Sequence, residues 1–568
     1  MTPEERARIY SQEYVDLIVD FYREGTSIEG FEDETIHILD DNFAIIHVSI
    51  EQFESREIFN IHYSNLPSVF GVFNQGSLDA SGITQIRERP DFNLRGEGVL
   101  IGIIDTGIDY TNPVFQYSDG TTRIAAIWDQ SIPSDTLFPF ETQYGTEFSR
   151  EQINEALQSE NPLEIVPVTD EVGHGTMLAG IAAGNMVEEE NFVGVVPASE
   201  LLVVKLKPAK NFIKDFFMIP RDAVGFQEND IMFGLKYLLD KSRDLNKPIA
   251  ICIALGSSQG AHDGRGTLSS YLSRVSERND VAVVVGAGNE GNARRHYYGV
   301  VDPAIGYDEV ELRVGVNEAG FSMELWGESP STFSIDILSP SGEYVPRIPA
   351  RLVEDREISF VFEETRIFLN YEMVESQSGD QLILMRFQNP TAGIWRFRVY
   401  GTGDLTLGFH IWLPMEGFIS NETYFSIPNP YTTVLSLGNA FVPITATAYN
   451  ENDDSIFLEA SRGFSRIGSV TPDIAAPGVN LIAPTVNQRF VLVSGTSAAA
   501  AHTTGVAAMM LEWGVVKGNF PAMNTIEIKK FLIRGAKRTT SLTYPNPIWG
   551  YGILDIFNTF DVLRSEVE

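Results

Sequence analysis

At 568 residues the chain is several times the roughly 100–200 residues of a single domain, so more than one folding unit is expected. Hydrophobic residues make up 43% and charged residues 21%, a balance that excludes disordered and fibrous classes. With 41 Lys+Arg against 77 Asp+Glu the net charge is −36, which argues against phosphate backbones and anionic membrane surfaces as partners, so neither nucleic acid nor membrane is expected.

The first segment, MTPEERARIYSQEYVDLIVDFY, reads as an amphipathic helix with charges scattered along it. It lacks the apolar h-region and small-residue cleavage site of a secretory signal, so synthesis in the cytoplasm without classical secretion is expected. A hairpin follows, with TIHIL and FAIIHVSI flanking the turn Asp40-Asp41-Asn42, and then a second helix-and-strand pair; residues 1–75 form a small α+β unit. From Arg95 short apolar strands alternate with helices, as in GVLIGIIDTG, ELLVVKLK, PIAICIALG and DVAVVVGAG. Strands this apolar on both faces predict an α/β fold with a parallel sheet covered by helices, over 76–306. Helices vanish over 307–429, where strands such as FSMELW and GIWRFRVY alternate with turns, predicting an inserted all-β sandwich. The α/β texture resumes over 430–568 and includes a helix at about 497–513. The longest apolar runs fall far short of the ~20 residues that span a bilayer. The single cysteine, Cys252, lies in the apolar IAICIALG and reads as a buried, unreactive thiol.

Three glycine-rich segments each carry one reactive residue. IGIIDTGID delivers Asp105 at the C-terminal end of a strand, where sites in parallel sheets gather, and a buried carboxylate there can hold the tautomer of an imidazole. GHGTMLAGIAAG opens a helix with His174, its ring pointing outward to an exposed edge that suits a general base. SGTSAAAAHTTG places Ser497 at the start of another small-residue helix, whose free N–H groups and positive potential favour an oxyanion. In VVVGAGNEGN, Asn289 follows a buried strand and offers a side-chain amide as second oxyanion donor. Taken singly, the Asp also reads as a cap, the His as structural and the Asn as a turn residue. Their shared setting and consistent order carry the reading.

The D-T-G, H-G-T and G-T-S blocks resemble the catalytic boxes of the subtilisin-like (S8) serine proteases, in the order Asp, His, Ser of that group. The resemblance covers about 95–291 and 431–563, and Pro472, Asp473, Ala476, Pro477 and Gly478 fit its pattern ahead of the serine. It implies that Ser497 is the nucleophile, His174 the base, Asp105 the orienting carboxylate, and Asn289 with the Ser497 N–H the oxyanion hole. Substrate backbone would add as a strand between Ala254-Leu255-Gly256 and residues 224–227. Two departures stand out. Ala501 precedes His502 where the family usually has proline, and an extra aromatic-rich stretch, NFIKDFFMIP, falls within 207–223, to be read either as a specificity loop or as packing.

The N-terminal unit, the β insert after GAGNEGN, the GTSAAAAHTTG box and the ending WGYGILDIF together resemble the Csp germination proteases of clostridia and related Firmicutes. That resemblance implies a prodomain that stays bound non-covalently after self-cleavage, a jelly-roll insert, a spore-associated setting, and a protein substrate that is the zymogen of a cortex-lytic hydrolase. Cleavage is expected in FGVFNQGSLDASG, at the bond between Gln75 and Gly76. Some members of the group have lost triad residues, and a silent binding or signalling module is the alternative; this chain keeps all three. D-T-G is also an aspartic-protease signature, but no second copy occurs to complete that dyad. No H-E-x-x-H or paired Cys/His spacing points to a metal, no cofactor is implied, and no loop identifies a calcium site.

Overall fold

Leu100–Asp105 and Val281–Gly286 are buried along their whole length, so both faces of the sheet they join need cover. In the computed structural model, which describes residues 1–20, 35–55, 63–72, 81–88 and 92–565, six parallel strands supply that sheet. Their order is Ile444–Asn450, Val281–Gly286, Ile249–Ile253, Leu100–Asp105, Glu200–Lys205 and Ile124–Asp129, with antiparallel strands Ser455–Ile456 and Thr146–Ser149 at its two ends. Ile474–Pro477 adds in parallel to Ile444–Asn450. The two-residue period of the strands divides the core cleanly. Ile101, Ile103, Cys252 and Val284 face helices His174–Ala183 and Thr496–Leu511. Leu100, Ile104, Ile251 and Val283 face helices Glu228–Asp244 and Thr267–Ser276. All of Thr496–Leu511 is buried, which its small and apolar residues on every side permit.

The N-terminal region differs from the sequence expectation. Its helix is short, Pro3–Tyr10, opened by a capping box between Thr2 and Glu5, and Tyr14–Asp20 is a strand. The β-branched residues of YVDLIVD and full antiparallel pairing with Phe43–Ser49 outweigh the helical pattern. With Thr35–Ile38 these strands make a three-stranded sheet centred on Phe43–Ser49. One face of it, through Ile18, Phe43 and Ile45, shares a core with Phe233 and Tyr271 of the two outer helices. The other face, through Val15, Leu17 and Ile46, packs on Ile213, Phe217 and Ile219. The aromatic-rich stretch therefore serves as packing beneath the N-terminal sheet. Beyond that sheet, Val69–Val72 inserts between Leu255–Gly256 and Phe226–Gln227 and runs antiparallel to both.

The inserted region is two antiparallel sheets of six and five strands enclosing one core that includes Phe321, Phe333, Phe387 and Trp395. Its six-stranded sheet begins with His296–Val300, ahead of the boundary expected at 307.

Candidate active site

Asp105 ends the parallel strand around which the chain reverses its direction of winding across the sheet, the place where open α/β sheets form their crevice. Its Oδ1 lies 2.8 Å from His174 Nδ1, and His174 Nε2 lies 3.1 Å from Ser497 Oγ. With the carboxylate accepting, Nδ1 carries the proton and Nε2 is left to accept from the serine hydroxyl. Asp105 and Ser497 are 0% exposed and His174 is 2% exposed. The outward-facing ring expected from the sequence is thus enclosed, because both of its nitrogens are engaged between the strand end and the serine helix.

Glycine makes that convergence possible. A Cβ on Gly175 would lie 2.2 Å from the Gly107 carbonyl oxygen, so the H-G-T and D-T-G turns meet only because neither carries a side chain there. Gly173, at φ +83°, sets the left-handed entry to the histidine helix.

Polar residues not singled out in the sequence brace the same turns. The Asp170 carboxylate accepts from the Thr106 hydroxyl at 2.7 Å, the Gly173 N–H at 2.8 Å, and the Thr176 N–H and hydroxyl at 2.8 and 2.7 Å. Thr106 Oγ1 in turn accepts the Gly175 N–H at 3.0 Å, and the Thr106 N–H donates to Asp105 Oδ1 at 2.8 Å. An acidic residue just ahead of a helix start was the available signal, since orphan N–H groups there need an acceptor.

Ser497 is the second residue of its helix. Asn289 follows Val281–Gly286, and its Oδ1 accepts both the N–H and the hydroxyl of Thr496, each at 3.1 Å. Thr496 Oγ1 also accepts the Gly288 N–H at 3.0 Å. The amide of Asn289 is therefore tied by its oxygen to the residue next to Ser497, with its NH2 at the opposite end. Leu255 and Gly256 pair with Val72 and Gly71, while Ala254 lies between that edge and the strand Ile249–Ile253. Gln75 and Gly76 lie outside the described residues.

Pro477 closes the strand Ile474–Pro477, and the Gly478 N–H donates to the Tyr449 carbonyl. His502 continues the serine helix past Ala501 without a break, and its Nε2 meets the Ser81 hydroxyl at 2.5 Å. Burial pushes the Cys252 thiol up to about 12, in keeping with an inert side chain. Among the described residues no group of three His, Cys, Asp or Glu is placed to hold a metal ion, and no helix is long and apolar enough to cross a membrane.

The model of the subtilase family matches residues 96–310 and 419–552. The structure of the Clostridium perfringens CspB protease superimposes with a TM-score of 0.76, at 31% identity, covering 86% of this chain and 97% of that one. Subtilisin-like protease SBT1.9 of Arabidopsis thaliana is 23% identical over 496 residues, 80% of this chain. The major intracellular serine protease of Bacillus subtilis is 26% identical over 182 residues, 32% of this chain. The chain spans 61% of the plant relative's length and 49% of the Bacillus one's.

Proposed function

The chain belongs to the subtilase family, and from that premise we propose that it is a serine endopeptidase that hydrolyses peptide bonds with Asp105, His174 and Ser497. Ser497 Oγ attacks the scissile carbonyl while His174 Nε2 takes its proton; Asp105 keeps the Nδ1 proton in place and stabilises the imidazolium. The Ser497 N–H at the helix start and the Asn289 NH2 receive the oxyanion. The imidazolium then protonates the leaving amine, and water, activated by the same ring, releases the acyl group. The observation that carries the reading is the double engagement of His174, with a carboxylate at one nitrogen and a hydroxyl at the other.

Substrate enters as a strand along Leu255–Gly256, the edge that Val69–Val72 already occupies. The N-terminal unit of 1–75 acts as a prodomain, cut by the protease itself between Gln75 and Gly76 and retained without a covalent link. The mature enzyme cuts protein substrates, among them another protein's zymogen by limited proteolysis; the likeness to the CspB protease supports this reading.

N-terminal sequencing of purified protein tests the proposal. Wild type is expected to yield a chain beginning at Gly76 beside one beginning at Met1, and Ser497→Ala only the intact chain. Identical processing in both would instead mark a binding module with the fold of a protease.

A further inference from the structure

Residues 63–68 lead into the strand in the groove, touching the N-terminal sheet where Asn65 Nδ2 donates to the Ile18 carbonyl and lying along the seam between the α/β unit and the inserted β region. The Tyr63 hydroxyl donates to Glu324 Oε1 at 2.6 Å and the Tyr63 N–H to Glu372 Oε1 at 2.9 Å. The ring stands edge-on to Trp326 at 6.1 Å and to Phe217 at 6.3 Å. Beside it the Ser64 and Ser376 hydroxyls lie 2.7 Å apart. At the far end, Ser68 exchanges hydrogen bonds with Glu228, and the Val69 N–H donates to Gln259 Oε1.

The acceptors are built for a donor that arrives from elsewhere. Glu324 is 3% exposed, and its Oε2 is held by the Gly260 N–H at 2.9 Å and by Trp326 Nε1 at 3.0 Å, leaving Oε1 for the phenol. Glu372 has one oxygen on the Tyr63 N–H and the other buried without a partner. Burial pushes the Glu324 carboxyl up and that of Glu372 to about 7. Carboxylates this enclosed are costly unless a donor meets them, and here the donor belongs to a different unit of the chain. Gly260 follows the groove edge Leu255–Gly256 closely, so the same carboxylate that receives the phenol also braces that wall.

We propose that Glu324, Trp326 and Glu372 of the inserted β region form a specificity subsite for a tyrosine six positions ahead of the strand that enters the groove, as Tyr63 stands to Val69. The ligand class is a polypeptide with an unmodified phenol at that place. Phenylalanine fills the space but brings no donor to Glu324, and a phosphorylated tyrosine brings negative charge and no phenolic donor into the same enclosed space. The holding of the segment stands on these contacts alone, and the effect on cutting rests on the protease reading above.

The test compares Tyr63→Phe with the parent full-length chain in two measurements. In the Ser497→Ala background, amide hydrogen exchange over residues 63–72 is expected to quicken about tenfold, the size of effect that leaving a buried hydrogen-bond partner unsatisfied gives. Exchange in Phe43–Ser49 should be unchanged, which shows the N-terminal sheet intact. In the active chain, N-terminal cleavage is expected to slow about tenfold. A role limited to packing moves neither reading, because the ring is kept, so equal exchange and equal cleavage in Tyr63→Phe and parent overturn the subsite. Faster exchange with unchanged cleavage overturns its part in selection. Absence of cleavage in the wild-type chain overturns the protease reading, and exchange then decides the subsite alone.

Discussion

Asn289 has no freedom to turn its amide, because both donors of Thr496 claim its oxygen. Its NH2 is therefore fixed in place before any substrate arrives, and in the proposed mechanism that is the condition under which an oxyanion donor contributes most. If Asn289 acts as proposed, Asn289→Ala is expected to lower kcat by about 10²–10³ with little change in KM, a magnitude taken from the oxyanion donor of subtilisin itself. Asp170 acts at one remove from the chemistry, tying the turn after Asp105 to the start of the His174 helix. Asp170→Ala leaves the Thr106, Gly173 and Thr176 donors without their acceptor in a closed site. A loss of about 3 kcal/mol in stability is expected from denaturant unfolding, together with a lower kcat as the ring loses its support. Unchanged stability would show that water replaces the carboxylate.

Elements meet at the site through surfaces stripped of side chains, so in the proposed mechanism their approach distance sets the geometry of the triad. Gly175→Ala puts a methyl against the Gly107 carbonyl, and the two turns must separate. A shift of about 1 Å in the ring costs on the order of 10² in rate, so cleavage should fall by that factor while circular dichroism stays native. Such local chemistry is what the sequence makes legible. Asp105, His174, Ser497 and Asn289 each stand close to glycine at the end of a strand or the start of a helix, and it is their shared setting and order, not any one of them, that is legible, while the parallel strands announce themselves by apolar runs. The edge at Leu255 and Gly256 comes from the family resemblance and not from local composition; in the structure Val72 and Gly71 pair with it. The strand Tyr14–Asp20 is not legible in this way, because YVDLIVD, five apolar residues broken by Asp16 and Asp20, satisfies helical and strand periods alike until its partner, Phe43–Ser49, is known. The contact of Tyr63 with Glu324 was beyond reach for a related reason: 261 positions separate them, and no periodicity links a loop tyrosine to one strand of a distant sheet.

Across the whole molecule, the N-terminal sheet meets the segment after Glu200–Lys205 and the start of helix Glu228–Asp244 through a buried charged cluster, and this makes their packing a function of pH. Asp16 Oδ1 accepts from Lys210 Nζ at 2.7 Å and from His47 Nδ1 at 2.6 Å, and its Oδ2 from Gln227 Nε2 at 2.9 Å. Lys207 pairs with Asp230 at 2.7 Å behind it, and His37 stacks on Phe233 at 4.2 Å with Tyr144 edge-on. Burial opposes the charge on Asp16, but Lys210 and His47 outweigh it and hold the carboxylate ionised far below its usual range. Burial pushes His37 down to about 3 and lowers His47 against the pull of Asp16. A histidine depressed in the docked state contributes stability that is complete above its free value of about 6.5 and is lost as pH falls below it, because the released form takes up the proton. His37 alone accounts for about 2 kcal/mol between pH 6.5 and 5. Glu372, raised to about 7 by burial, has the opposite sign: its contribution is complete below the free carboxylate value and is lost as pH rises toward 7. Hydrogen exchange in Phe43–Ser49 reports chiefly on the histidines, since that strand carries His47 and pairs with the strand of His37, whereas Glu372 meets the backbone of Tyr63. Protection there is expected to fall steadily from pH 6.5 to 5 in the Ser497→Ala chain, and His37→Phe, which keeps the stack on Phe233 and removes that proton site, should make the slope shallower, with His47 supplying the rest. A slope equal in His37→Phe and parent would mean that His37 stays neutral in both states and that the acid response of docking arises elsewhere.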